Sequence, residues 1–428
     1  MSTVLPTRPP TRPAGPDPQP GNRLAVGPRT RPAAPARPLR APVAPSAARV
    51  RDPFVDGVRA VGILLVVALH WVMVEATWDG TDLVVGNALA HGPAWLLTWL
   101  QPLPLLFFAA GAAARYDLQR HPAEPGWRFA GVRLVRMARP VAVFAGAWVL
   151  LVLGLPHLGV PQAAVDRVAR IVPQPLWFLG VQLGLLALAP VLVRTLRRFG
   201  GARVLLVAAA LPVAVDLLRF SDELPVPGWP NLLLVWAVPF LAGLLDAERR
   251  LRPAGPVAAT RSAGGAAPRR AVPDRVVLAL LAGGGLAATV LLLAVGPYPV
   301  SLIGMPGDAM SNLAPPTAPV VGFAVAQVAG ALLLRDVVGR WAGRSRLVRW
   351  AGARSMGLYL WHLTAMFAVS GVVLLGVGVP LPEPWTWDWW MSRAGYAGAA
   401  AGVLVALVAL TDRLARGRRR PAPATAAR

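Results

Sequence analysis

The chain has 428 residues, is 55% hydrophobic with a mean hydropathy of +0.53, and bears a formal net charge of +23 although only 15% of its residues are charged. A soluble domain of this size needs a more charged surface, so the hydrophobic excess must face lipid. Cys is absent, which excludes disulfides, thiolate metal sites and cysteine nucleophiles; Lys is absent too, and the arginines lack any zinc-finger or other nucleic-acid motif beside them, so no nucleic-acid partner is expected.

Residues 1–50 are Pro, Ala, Arg, Gly and Thr without a periodic apolar face, so burial cannot repay the entropy of ordering them. This stretch is expected to be a disordered cytosolic tail. Pro9, Pro10 and Pro13 stand where the apolar core of a signal peptide would lie, so the first hydrophobic segment is expected to remain as a membrane helix. A transmembrane domain is expected over 51–412, with a flexible, Arg-bearing cytosolic loop at 248–274 and a basic cytosolic tail at 413–428.

Apolar segments with their Pro, Gly and charge boundaries predict an all-α, polytopic integral membrane protein of about ten transmembrane helices. The spans are 55–76, 95–114, 132–153, 175–194, 203–220, 231–247, 275–296, 317–335, 355–378 and 391–411. Arginine alternates between the connections. Arg115 to Arg128, Arg194 to Arg198, Arg249 to Arg275 and Arg335 to Arg354 fall on one side, with Arg413 to Arg420; the opposite loops hold Arg167, Arg170 and Arg219, with Arg393 at the edge of the last helix, beside Asp79, Asp82, Asp222, Glu223, Glu383 and Asp388. The positive-inside rule then places both termini in the cytosol of a multi-pass cell-membrane protein.

Within the first span, Arg59 and His70 are eleven residues apart, which returns them to nearly one helix face about 16 Å apart along the axis. Ionisable groups are expensive in hydrocarbon, so the pair is a functional-site candidate; the alternatives are an interfacial anchor for Arg59 and a structural hydrogen bond for His70. Asp56, one turn earlier, either steadies the Arg59 guanidinium or simply marks the membrane boundary. Arg128, Arg133, Arg136 and Arg139 crowd the cytosolic end of the third span, where guanidinium groups suit phosphate as well as topology. Asn312, in the Met310–Thr317 approach to the eighth span, either satisfies a turn or faces a substrate. Ser355, Tyr359 and His362 share one side of the ninth helix, where they either line a site or bind helices together. Trp385, Trp387, Trp389 and Trp390 read as an interfacial aromatic belt. There is no Gly-x-Ser-x-Gly elbow, P-loop or zinc-ligand cluster, so no metal is expected.

Phe54-Val55-Asp56-Gly57-Val58-Arg59-Ala60 followed by His70 resembles the opening helix of the integral-membrane acyltransferase-3 family, whose hallmark is an arginine, ten intervening residues and a histidine. Arg133-Leu134-Val135-Arg136 resembles the family's paired-arginine motif. Trp177-Phe178-Leu179 and Ser355-Met356-Gly357-Leu358-Tyr359-Leu360-Trp361-His362 resemble two later segments, so the likeness runs over roughly 52–411. It implies a ten-helix membrane O-acyltransferase of cell-surface polysaccharides, glycolipids and small molecules, fed by cytosolic acyl-CoA, with acetyl-CoA the expected donor.

Under that reading Arg133 and Arg136 hold donor phosphate, Arg59 positions the donor, and His70 takes the proton of the acceptor hydroxyl, because a neutral imidazole is a competent base near neutral pH. The expected partners are membrane lipid, acyl-CoA and a hydroxyl-bearing glycan, glycolipid or small molecule. A polytopic transporter is the alternative, since it too uses intramembrane polar groups and broken helices.

Overall fold

The computed structural model describes residues 52–121, 126–221, 226–251 and 274–416. The expected tail at 1–50, the central loop from 252 to 273 and the C-terminal residues from 417 lie outside them.

Helix α1, Pro53–Met73, starts where the Asp52 carboxylate accepts the Phe54 amide at 3.1 Å, with Pro53 in the first turn, where its missing N–H costs nothing. It stops short of the expected residue 76, because Val74–Trp78 (β1) pairs antiparallel with Leu83–Asn87 (β2) from Val74↔Asn87 to Trp78↔Leu83. The hairpin turn is held by Asp79, whose Oδ1 accepts the amides of Asp82 at 2.7 Å and Thr81 at 2.8 Å, while Gly80 supplies a φ of +100°. Those hydrogen bonds hold the Asp79 carboxyl below its ordinary pKa.

Two 3-10 segments, Ala88–Ala90 and Gly92–Leu100, come before α2, Leu103–Arg120. The α-helical ladder expected from residue 95 begins later because Pro102 and Pro104 cannot donate to a preceding turn. Next come α3, Gly126–Gly154; the short α4, Gln162–Ile171; α5, Leu176–Phe199; α6, Gly201–Arg219; and α7, Asn231–Leu251. Then follow α8, Arg275–Val295; α9, Ala318–Leu333; α10, Arg335–Arg344; α11, Arg346–Gly371 with a π-helical continuation Val372–Val377; and α12, Trp387–Arg416.

Among the described residues nine helices are long and apolar enough to cross a membrane, or ten if α9 and α10, bent by 67°, form one span. The protein is thus an all-α polytopic membrane protein of about ten spans, and the β1–β2 hairpin is an accessory at a helix end. Pro140, Pro190, Pro212 and Pro239 sit inside α3, α5, α6 and α7, as membrane helices tolerate when neighbours satisfy the freed carbonyls. Where α2 crosses α7 the backbones nearly touch: a Cβ on Gly111 would lie 2.0 Å from the Phe240 carbonyl oxygen, and one on Gly243 would lie 2.0 Å from that of Phe108. Small residues are what permit such an approach.

One end of the bundle is tied by ion pairs. Arg335 bonds Asp52 at 2.5 Å and Asp246 at 2.9 Å, Tyr116 donates to Asp52 at 2.9 Å, and Arg250 reaches Asp246 at 3.3 Å. Buried Glu248 accepts Arg115 and, at 2.9 Å, Arg197, so α7 is still an ordered helix at the position where the flexible loop was expected to start. Arg354 meets Asp412 at 3.4 Å. Helix ends of α1, α2, α5, α7, α10, α11 and α12 therefore collect at a single arginine-rich end.

Candidate active site

The candidate residues line a pair of cavities inside the bundle, one toward the arginine-rich end and one toward the hairpin end. The first, about 390 Å³, is lined by Arg59, Asp117, Arg133, Arg136, Gln182, Ser355 and Tyr359 among apolar residues of α2, α3 and α5. The second, about 360 Å³, is lined by His70, Thr98, Gln101, Gln174, Trp177 and Tyr359, with hairpin residues Val85 and Gly86 and loop residues Ile303 and Gly304 at its margin. Phe178 and Tyr359 belong to both linings, their ring centroids 5.3 Å apart. These two aromatic side chains form the partition.

The basic cavity has three guanidinium groups and one carboxylate on its wall. Arg59 is 3.5 Å from Asp56, one helical turn away. Arg133 pairs with Asp117, donates to the Phe129 carbonyl at 2.5 Å and lies 3.3 Å from the Phe129 ring centroid. Its direction is therefore fixed by the protein, and Asp117 offsets its charge. Arg136 is exposed at the cavity wall and has no ion-pair partner among the described residues, which leaves it the guanidinium most available to an incoming anion. Arg128 and Arg139 do not line this cavity; Arg128 lies over Trp127, 5.2 Å from its ring centroid.

His70 ends up in the other cavity, in the last turn of the same helix. Its Nδ1 lies 2.7 Å from the Val66 carbonyl oxygen. A carbonyl only accepts, so in the neutral ring Nδ1 carries the hydrogen and Nε2 keeps the basic lone pair. The ring meets His362 edge to face, with centroids 4.8 Å apart. His362 is buried behind it, its Nδ1 2.6 Å from the Tyr359 carbonyl oxygen and its Nε2 without a hydrogen-bond partner among the described residues. Trp71 donates to the His362 carbonyl at 3.0 Å and so locks α1 to α11 beside the imidazole pair.

The polar stripe of α11 is divided by depth. Ser355, which donates to Gly352 at 3.4 Å, faces the basic cavity; Tyr359 stands in the partition with its hydroxyl on the Pro175 carbonyl; His362 backs His70. Trp177, Phe178 and Leu179 divide the same way, Trp177 toward the imidazole cavity and Leu179 toward the basic one. Asn312 is elsewhere. It is fully buried and lines neither cavity; its amide donates to the carbonyls of Pro299 and Ser301 at 2.7 Å each and its oxygen accepts Thr317 at 2.7 Å.

Sequence reading passed over Asp117, Gln182, Thr98, Gln101 and Gln174 on the cavity walls. Gln182 had a signal, as a lone amide in the apolar run from Leu176 to Pro190. The walls supplied by the hairpin and by Ile303–Gly304 had none, because they arise from chain segments distant in sequence. No cluster of three or more metal-ligating side chains occurs among the described residues.

Residues 52–412 match the acyltransferase domain that defines the acyltransferase-3 family, and the chain belongs to that family. No curated protein and no solved structure matches it. Family and fold together make it a membrane-embedded acyltransferase.

Proposed function

We propose that the protein moves an acyl group, acetyl in the simplest case, from cytosolic acyl-CoA to a hydroxyl of a cell-envelope glycan, glycolipid or related small molecule. The observation that carries this reading is the pair of back-to-back cavities, arginine-lined on one side of the Phe178–Tyr359 partition and imidazole-lined on the other. The donor's phosphates suit the basic cavity, where Arg136 and Arg133 offer charge-assisted bonds and Arg59 continues the positive wall toward the partition. Three guanidinium groups against one carboxylate leave that wall positive, as a phosphate-rich donor requires.

In the chemical step His70 Nε2 accepts the acceptor's hydroxyl proton as the hydroxyl oxygen bonds to the thioester carbonyl carbon. The carbon–sulfur bond breaks, the electron pair leaves with sulfur, and the imidazolium returns the proton to the departing thiolate. An ester and free coenzyme A result, and the histidine ends neutral. The Val66 carbonyl keeps Nδ1 protonated throughout, which reserves Nε2 for the reaction. Asp56 steadies Arg59, and Ser355 and Tyr359 shape the passage between the cavities.

The orientation proposed is a cytosolic arginine-rich end with both termini inside. Reporter fusions after Asp82, Gly131 and Gly159 are expected to read outside, inside and outside; an inside report for Asp82 overturns it. The function is tested with purified His70→Gln, which retains amide hydrogen bonding but has no effective base. Single-turnover acylation of an alcohol is expected to fall by at least about a hundredfold. A transporter would instead lose substrate movement, and near-normal acylation by the folded variant rejects His70 as the base.

A further inference from the structure

Helix α10 is unlike the other helices of the arginine-rich end. It turns 67° from α9 and spans only Arg335–Arg344, too short to cross a membrane. At its start Arg335 is committed to Asp52 and Asp246, which fixes the elbow. One side packs against α1 so closely that a Cβ on Gly57 would meet Ala342 at 2.9 Å and Val338 at 3.0 Å.

The rest of its circumference is open and sorted by chemistry. Leu334, Val337 and Trp341, at spacings of three and four, are 56%, 57% and 46% exposed and form a continuous apolar edge. Arg340 and Arg344, one turn apart and both exposed, flank that edge and make no ion pair among the described residues. The one acidic residue of the helix, Asp336, faces Arg275 at 3.8 Å. An apolar edge with a tryptophan, bordered by unpaired arginines, is the pattern of a helix that lies in the membrane surface with its cations among lipid phosphates.

We propose that α10 is an in-plane interfacial helix that binds the headgroup of an anionic phospholipid between Arg340 and Arg344, with Leu334, Val337 and Trp341 inserted among the acyl chains. The charge complementarity selects an anionic lipid over a zwitterionic one, and the apolar edge selects a membrane lipid over a soluble phosphate. Since α10 packs on α1 at Gly57, two residues before Arg59, a bound lipid also holds the catalytic helix at a fixed depth. The lipid site itself stands whether or not the acyl-transfer chemistry proposed above is right.

The test is native mass spectrometry of the full-length protein in mild detergent, titrated with palmitoyl-oleoyl phosphatidylglycerol or the matching phosphatidylcholine. The wild type is expected to retain phosphatidylglycerol preferentially, and Arg340→Gln with Arg344→Gln to weaken that retention by at least about tenfold, given roughly fivefold for each arginine near an anionic surface. Arg194→Gln with Arg198→Gln, a charge-matched change on α5, is expected to leave it intact. Equal retention of the two lipids by the wild type overturns the site, as does a preference that survives loss of Arg340 and Arg344. If the double variant does not fold, brominated phosphatidylglycerol decides: it is expected to quench a fluorescence component that Trp341→Phe removes, and quenching unaltered by that substitution places the apolar edge outside the membrane.

Discussion

The basic and imidazole cavities are built by the same helices, yet they are equipped for different tasks. Helix α1 gives Arg59 to one and His70 to the other; α5 gives Gln182 to one and Trp177 to the other; α11 gives Ser355 to one and borders the other with Leu363 and Met366. Depth along a helix, more than which helix a residue is on, sets its chemistry. Near the arginine-rich end charged side chains find partners such as Asp117 and Asp56, so cations are tolerable there. Toward the hairpin end the wall is uncharged and the ionisable group is an imidazole, which serves as a base without carrying a permanent charge.

The contrast predicts effects that separate by cavity. The largest belongs to His70: its conversion to Gln is expected to lower turnover at least about a hundredfold while acyl-CoA affinity, measured by calorimetric titration, stays within a factor of about two. Loss of donor affinity in this variant would blur the division, because it would mean the donor is held largely from the imidazole side.

The converse change is smaller and lies in the basic cavity. Arg136→Gln is expected to weaken acyl-CoA binding about tenfold, the value of one charge-assisted hydrogen bond, with single-turnover transfer at saturating donor nearly unchanged. Arg133→Gln is expected to do less to affinity and more to stability, since it removes the Arg133–Asp117 ion pair and leaves that carboxylate only Arg120, at 3.7 Å. Equal and large affinity losses from both would assign Arg133 a direct phosphate contact despite its internal pairing. Unchanged affinity in both would return the pair to topology alone.

Much of this was legible in the chain because membrane helices obey a narrow rule: an apolar run long enough to span, bounded by charge or Pro, has few alternatives. The spans at 275–296 and 203–220 differ from α8 and α6 by at most two residues at either end. Arg59 and His70 were legible as an intramembrane pair, because eleven residues is close to three helical turns. Their separation into two cavities was not, since it depends on Phe178 and Tyr359 meeting from α5 and α11, 181 positions apart in sequence. The hairpin escaped for a different reason: Val74–Trp78 continues an apolar helix without a Pro or Gly to announce the change, and only its pairing with Leu83–Asn87 makes it a strand. His362 shows the limit most sharply. Its i+3 spacing from Tyr359 placed it on the right face of α11, but only the tertiary packing sets its ring against His70.

The partition itself provides the smallest predicted effect and the finest test of the comparison. Tyr359→Phe keeps the ring that faces Phe178 and removes only the hydroxyl that donates to the Pro175 carbonyl. That bond ties α11 to the start of α5, so its loss is expected to cost about 1 kcal/mol of stability, read by thermal unfolding in detergent. Single-turnover transfer is expected to stay within a few-fold of the wild type, because the two cavities and the His70 base remain. Phe178→Ala, by contrast, removes half the partition and is expected to admit water between the cavities, which raises hydrolysis of acyl-CoA relative to transfer. A Tyr359→Phe protein as inactive as His70→Gln would show that the hydroxyl takes part in the reaction rather than holding the wall, and the boundary between the two cavities would then itself be the reacting centre.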